Sequence, residues 1–241
     1  MEKNPTEAKR GLQVLDMTTI SIVLETPLKL SDSRLLRGYF GSRYHNRPEF
    51  HQHCDDGLIY RHPFIQYKVI GGVGWLVGLA EGSFLLQAAE VPAQIQLGNQ
   101  TLKVLHHMRQ SCSVEIGVVS TMRRYRFITP WLALNEDNYS SYLRMRCTEE
   151  RKDLLKRILI GNVLSFCKTL KYEVTERLSV SLQIDNETSV SIKPGVELIG
   201  FEGDFSINFE LPHFWGLGKQ SARGFGTIQK IEDDNGNRQA N

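Results

Sequence analysis

Cysteine is scarce in this 241-residue chain: Cys54, Cys112, Cys147 and Cys167 stand far apart, with no CxxC pair among them. That spacing speaks against a structural zinc site built from thiolates. Long apolar runs are missing as well. The longest, residues 69–80, holds four glycines and is closed by Lys68 and Glu81, well short of the ~20 residues that a membrane-spanning helix needs. The first ten residues carry Glu2, Lys3, Lys9 and Arg10 and no apolar h-region, so no secretory signal is expected, the thiols are expected to be reduced and the protein cytoplasmic. Neither sign of charge dominates. The chain has 29 Lys plus Arg against 27 Asp plus Glu, a net +2, which excludes a histone-like polycation but allows a local basic groove. At 41% hydrophobic and 23% charged residues the composition excludes wholesale disorder, collagen and a coiled-coil rod. The length suggests two domains of roughly 100 to 130 residues.

Periodicity supplies the elements. Residues 12–26 are rich in β-branched side chains and stop at Pro27, which predicts a first strand. Ser31, Asp32 and Ser33 offer cap oxygens to a helix over 32–41, which Gly41 can end. Residues 58–70 alternate with the period of two that a strand requires, and Pro63 places that strand near an edge or bulge. Gly71-Gly72 is a turn signal, residues 75–79 return as the partner strand, 81–90 read as helix and 101–108 as extended. The order β-α-β-β-α-β predicts a ferredoxin-like (RRM-like) domain over residues 1–110. A second domain over 111–231 begins with an extended run at 114–127. Thr148 caps a long helix to Leu170 with Glu149 and Glu150 in its positive first turn, and extended runs follow at 178–184, 189–192, 196–201, 205–209 and 224–231. No second helix is evident, so this copy is either degraded or elaborated with hairpins. Residues 232–241 read as a disordered tail.

Three features carry chemical potential. The first is the segment 214–226, where Gly216, Gly218, Gly224 and Gly226 are interleaved with Lys219 and Arg223. Glycines let backbone N–H groups approach an anion, and the cations supply charge-assisted bonds, a composition suited to a phosphodiester. A structural glycine hairpin would leave the same pattern. The P-loop and dinucleotide fingerprints fail, because His213, Gln220 and Ser221 stand where those motifs need other residues. The second feature is a histidine group, His45, His51, His53 and His62. The third is Arg123-Arg124-Tyr125-Arg126, where Arg124 and Arg126 share one strand face able to track a nucleic-acid backbone. A charged edge strand would look alike.

The run Gly216-x-Gly218-Lys219-x-x-x-x-Gly224-Phe225-Gly226, just before the last strand, resembles the glycine-rich loop of the RAMP superfamily. Residues 36–40, residues 63–70 and Glu81-Gly82 likewise resemble the N-terminal half of its precursor-crRNA endoribonucleases, so the likeness spans both halves of the chain. It implies α+β tandem ferredoxin-like domains and a partner in CRISPR repeat RNA, together with other CRISPR effector subunits, as a monomer or homodimer without a membrane. It also implies catalysis by a histidine in the early cluster, assisted by tyrosine or lysine, with no metal or other cofactor. Distance to the following strand favours His51 or His53, with His45 third. Tyr39 or Tyr44 would orient the phosphate, and Lys68, Arg43 or Arg47 would stabilise its charge, with Tyr39 and Lys68 the leading candidates. The glycine loop and Arg123, Arg124 and Arg126 would hold RNA. Imidazole, at an unperturbed pKa of ~6.5, can act as acid or base near neutral pH, typically contributing ~10² to 10⁴-fold. The expected products are a 2′,3′-cyclic phosphate and a 5′-OH end. A catalytically silent RAMP-type subunit that binds crRNA is the alternative.

Overall fold

The computed structural model describes residues 11–51, 53–54, 57–58, 62–193 and 195–232, with 53–54 and 57–58 described by backbone alone. The predicted tail beyond Glu232 and part of the run at 58–70 lie outside the described residues. The β-branched run forms β1 (Gln13–Leu24) and the next segment α1 (Ser33–Arg43). Gly41 does not end α1. A Cβ there would lie 3.0 Å from the Cβ of His51, so this glycine lets the chain after the helix fold back against it. A two-rung hairpin, β2 (His53–Cys54) with β3 (Gly57–Leu58), leads to β4 (Ile65–Ile70), β5 (Val73–Leu79) and α2 (Glu81–Ala88). Then come β6 (Gln94–Leu97), β7 (Gln100–Phe127), α3 (Glu136–Arg144), α4 (Thr148–Thr169), β8 (Val180–Lys193), β9 (Val196–Glu210) and β10 (Ile228–Ile231).

Two antiparallel units share one sheet. In the first, β1-α1-β4-β5-α2-β7 gives the strand order β4-β5-β1-β7, which is the ferredoxin-like arrangement. In the second, the later part of β7 is the first strand, and the order β8-β9-β7-β10 repeats that arrangement. The two extended runs predicted at 101–108 and 114–127 are one 28-residue strand, and the boundary expected after residue 110 falls inside it. The strand bends at Gly117, whose φ is +143° and where a Cβ would stand 2.1 Å from the Gly11 carbonyl oxygen. Beyond the bend, pairing with β9 jumps from Val118↔Phe209 to Arg123↔Ile207, as bulged residues require.

Two helices fill the place of one in the second unit. The unpredicted α3 starts with Asn135 and Asn138 capping each other's backbone N–H groups at 2.9 and 2.7 Å, a reciprocal cap that needs no Ser or Thr. Thr148 is the first residue of α4 rather than its cap, a place taken by Cys147 without a side-chain bond. α4 buries Leu155, Leu159, Val163 and Phe166, one face at helical spacing, in a cluster with Phe205, Phe209 and Trp215. Where the second helix of this unit would stand there is only the glycine-rich segment with a single 3-10 turn, Ser221–Arg223.

The units also pack face to face. Along β4, Ile65, Tyr67 and Val69 join Leu36, Phe40 and Leu86 in the first unit's core. The alternate residues Gln66 and Lys68 face the second unit and are fully buried. A polar strand face, which reads as a solvent face in sequence, is here covered by the glycine-rich segment.

Candidate active site

The groove begins with α1. Arg34, Arg37, Gly38, Gly41 and Ser42 recur at helical spacing on the side away from the buried Leu36 and Phe40, so one helix face supplies two guanidiniums and a floor with almost no side-chain bulk. The chain leaves α1 through His45 and returns through the 3-10 turn Pro48–Phe50 to His51. Phe50 anchors that return by stacking on Tyr44, with ring centres 4.4 Å apart, and by accepting the Tyr67 hydroxyl at 3.0 Å. The second unit closes the other wall with Lys193, at the end of β8, and Arg223, from the glycine-rich segment. The resulting groove of about 600 Å³ is lined by His45, His51, Arg34, Arg37, Lys193 and Arg223, and no carboxylate is among its described lining residues.

The histidines are set by backbone. His51 Nε2 lies 2.9 Å from the His45 carbonyl oxygen. A carbonyl can only accept, so Nε2 carries the proton in this arrangement. Arg37 donates from Nη2 to the His51 carbonyl oxygen, which ties the guanidinium to the histidine backbone. Burial, and then the Arg223 guanidinium, hold Arg37 below the usual arginine range. Two cations pressed together favour an anion. Among the described residues, none of Arg34, Arg37, Lys193 and Arg223 pairs with a carboxylate. Tyr39 lies in the adjoining stretch with Arg43, Gln96 and Gly98, joined to the groove through Arg34, Gly38 and Ser42. His53 is described by backbone alone, in β2.

Lys68 does not reach this groove. It is fully buried, and its Nζ donates to Gln66 Oε1 at 2.8 Å and Thr227 Oγ1 at 3.1 Å. No described carboxylate pairs with it, and burial pulls its ammonium down to about 7. Lys68 is a seam residue, because the strand face that carries it is covered by the second unit. His62 belongs to the same seam. Its Nε2 accepts from Trp215 Nε1 at 2.9 Å and lies 3.2 Å from Gln66 Nε2, and burial, reinforced by the Lys68 charge, lowers it to about 3.

The glycines of the loop also turn inward. A Cβ on Gly216 would lie 2.9 Å from Gln66 Oε1 and 3.0 Å from Lys68 Nζ; on Gly218, 2.6 Å from Trp131 Nε1; on Gly224, 2.8 Å from Ser33 Oγ; on Gly226, 2.0 Å from the Leu217 carbonyl oxygen. At each of these positions the missing Cβ lets the loop seat on the protein. Of the loop's cations, Arg223 enters the groove, while Lys219 is exposed and gives its backbone N–H to Leu132. The arginines of β7 stand elsewhere. Arg123 pairs with Glu210 at 2.8 Å and Arg126 with Asp204 at 2.6 Å, while Arg124 lies 4.0 Å from Asp204. Arg124 and Arg126 line a separate concavity with His213. Two cross-strand carboxylates on β9, Asp204 and Glu210, offset part of their charge, which the sequence around residue 124 cannot reveal.

The groove cations Arg34, Arg37 and Lys193 were not singled out from sequence. Arg34 and Arg37 had a signal in the polar stripe they make on α1; Lys193 had none. Among the described residues no three His, Cys, Asp or Glu side chains gather as a metal site requires, and no helix is long and apolar enough to cross a membrane.

Comparison with known proteins fits this geometry. Residues 13–112 match the family model of the Cas6b N-terminal domain and residues 117–231 that of the Cas6b C-terminal domain. A crystal structure of Cas6b is 32% identical, covering 91% of this chain and 100% of that one, with a TM-score of 0.84. A second, of the CRISPR RNA processing endoribonuclease Cas6b, is 30% identical over 91% and 100%, with a TM-score of 0.73. An uncharacterised protein of Methanocaldococcus jannaschii is 36% identical over 140 residues, which are 58% of this chain and 94% of that protein.

Proposed function

This chain belongs to the Cas6b family, and we propose that it cuts precursor crRNA within the CRISPR repeat by using the RNA's own 2′-OH as nucleophile. One observation carries the reading: His45 and His51 from the first unit and Arg223 from the second line a single cationic groove with no carboxylate among its described lining residues. RNA needs three things there. A base must take the 2′-OH proton, an acid must protonate the departing 5′-oxygen, and positive charge must hold the phosphorane.

His51 takes the 2′-OH proton, and its Nε2–H bond to the His45 carbonyl steadies the imidazolium that forms. O2′ attacks phosphorus and the P–O5′ bond breaks. The His45 side chain supplies a proton to O5′, and solvent restores both rings. Arg37 and Arg223 face the non-bridging oxygens, and Tyr39 orients the strand where it leaves the groove. The products are a 2′,3′-cyclic phosphate and a 5′-OH end, and no metal takes part in the step.

Incubating the protein with its locus repeat RNA in EDTA tests this directly. Cleavage to a cyclic phosphate is expected, and a 2′-deoxy sugar at the scissile position should abolish cutting while leaving affinity largely intact. Cutting of the deoxy substrate would remove the 2′-OH mechanism. Binding without any scission would favour a silent crRNA-binding subunit.

A further inference from the structure

Beside the histidine-lined groove lies a smaller cavity of about 300 Å³, floored by Leu30, Ile192 and Phe225. The two share Arg34, Ile192, Lys193 and Arg223, so a chain lying in one continues into the other. Their chemistry differs. The histidine groove rests on the glycine-rich face of α1, whereas the smaller cavity has apolar walls and a cationic rim, with Ser31, Ser191 and Gln220 as its neutral polar groups. Gln220 is only partly buried and makes no side-chain hydrogen bond among the described residues. Its backbone is held in the left-handed region at φ +57°, where its carbonyl oxygen accepts from Arg223 N at 2.8 Å and Phe225 N at 3.4 Å. That turn fixes Gln220, Arg223 and Phe225 as one unit at the cavity mouth.

We propose that this cavity receives one unpaired nucleobase next to the scissile phosphate, an inference that rests on the nuclease reading of the adjoining groove. The occupant follows from the lining. Apolar walls accept the flat faces of a base, Gln220 offers an amide donor and acceptor to its edge, and the guanidiniums of Arg34 and Arg223 stand where the flanking phosphates pass. The cavity is at the small end for ligand sites, which suits one splayed-out base and excludes a paired one, whose edge is occupied by its partner. Placing the base there turns its phosphodiester toward His51 and so selects which bond lies in the groove.

Abasic scanning tests this. Repeat RNAs carrying one abasic nucleotide at each position around the scissile bond are cut by the full-length protein, and a matching set with a 2′-deoxy scissile sugar is used for affinity. One position beside the scissile phosphate should lower kcat/KM by about 10-fold or more, in line with the loss of one stacked base, and should weaken binding of the uncleavable RNA. Ser31→Trp, at an exposed position on the rim, fills the cavity. It should impose the same loss on intact RNA and no further loss on the RNA abasic at that position, with Leu30→Ala as a milder second variant. Equal kcat/KM for all abasic RNAs, or full additivity of Ser31→Trp with the abasic change, would overturn the base site while leaving the nuclease reading intact. If intact repeat RNA is not cut at all, the nuclease reading fails, and position-dependent affinity for the deoxy set still decides the cavity's occupant.

Discussion

Gln66 and Gly216, 150 positions apart, exchange two hydrogen bonds: the Gly216 N–H donates to Gln66 Oε1 at 2.7 Å, and Gln66 Nε2 donates to the Gly216 carbonyl oxygen at 3.1 Å. One side-chain amide thus replaces a rung of backbone pairing between β4 and the glycine-rich segment. The same Gln66 oxygen accepts from Lys68, and Thr227, the second Lys68 acceptor, passes its own proton to the Gly224 carbonyl oxygen at 3.2 Å. The segment that brings Arg223 to the groove is therefore fastened at both ends to one buried strand face.

Gln66→Ala should loosen that fastening. It leaves the buried N–H and C=O of Gly216 without partners, at a cost of about 2 to 3 kcal/mol, which for a chain of this size lowers Tm by roughly 5 to 10 °C. Thermal unfolding followed by circular dichroism reads it; an unchanged Tm would show that water replaces the amide at no cost.

The Lys68 ammonium gives the fold a pH dependence of definite sign. Its pKa falls from 10.5 to about 7 on folding because burial disfavours the charge. The unfolded chain then binds the extra proton between those values, so stability rises with pH across that window and the full penalty applies below it. His62, the titratable neighbour whose pKa Lys68 itself depresses, falls from 6.5 to about 3 by burial first, and it raises stability with pH in the lower window. Lys68→Met should flatten the rise above pH 7, by several degrees of Tm between pH 7 and 9, and leave the acid limb in place. Tm measured from pH 4 to 10 on both proteins separates the two groups.

Arg223→Ala should slow cleavage about 100-fold at saturating RNA, as loss of one preorganised charge at the phosphorane does, with little change in Tm because no carboxylate is left behind. Arg126→Ala, which removes a partner of Asp204 in a separate concavity, should leave the rate within about 2-fold. If the two variants lose equal activity under single-turnover conditions, the strand arginines belong to the RNA path after all.

Two glycines should respond oppositely to alanine. Gly38 is exposed within α1 and has nothing within 4 Å of an added Cβ, so Gly38→Ala gains roughly 0.5 to 1 kcal/mol of helix preference. Gly226 has φ +61° and the Leu217 carbonyl oxygen 2.0 Å from an added Cβ. Gly226→Ala forces the loop off its seat, and the loss of Tm should be accompanied by loss of cleavage. Unfolding curves and repeat-cleavage rates on the pair check both directions.

Several residues explain how much could be read in advance. The β-α-β-β-α-β order of the first unit was legible because each element there carries its own period. The cap of α3 was not seen, because two asparagines make a weaker sign than Ser with Glu. The glycine loop was recognisable as a motif, yet its glycines were expected to face RNA. Their neighbours Gln66, Trp131 and Ser33 come from distant parts of the chain, and only close approach shows what each missing Cβ makes room for.

Most local elements of the first unit, the absence of clustered cysteines and of a long apolar run, and the residue types that RNA chemistry calls for were legible in the sequence, since these depend on neighbours within a few positions. Which histidines share a groove with which cations, and that Lys68 lies in a seam while Arg223 meets Arg37, was decided by the second unit folding over β4. Burial and charge proximity are properties of surfaces brought together in space, and no spacing along the chain encodes them.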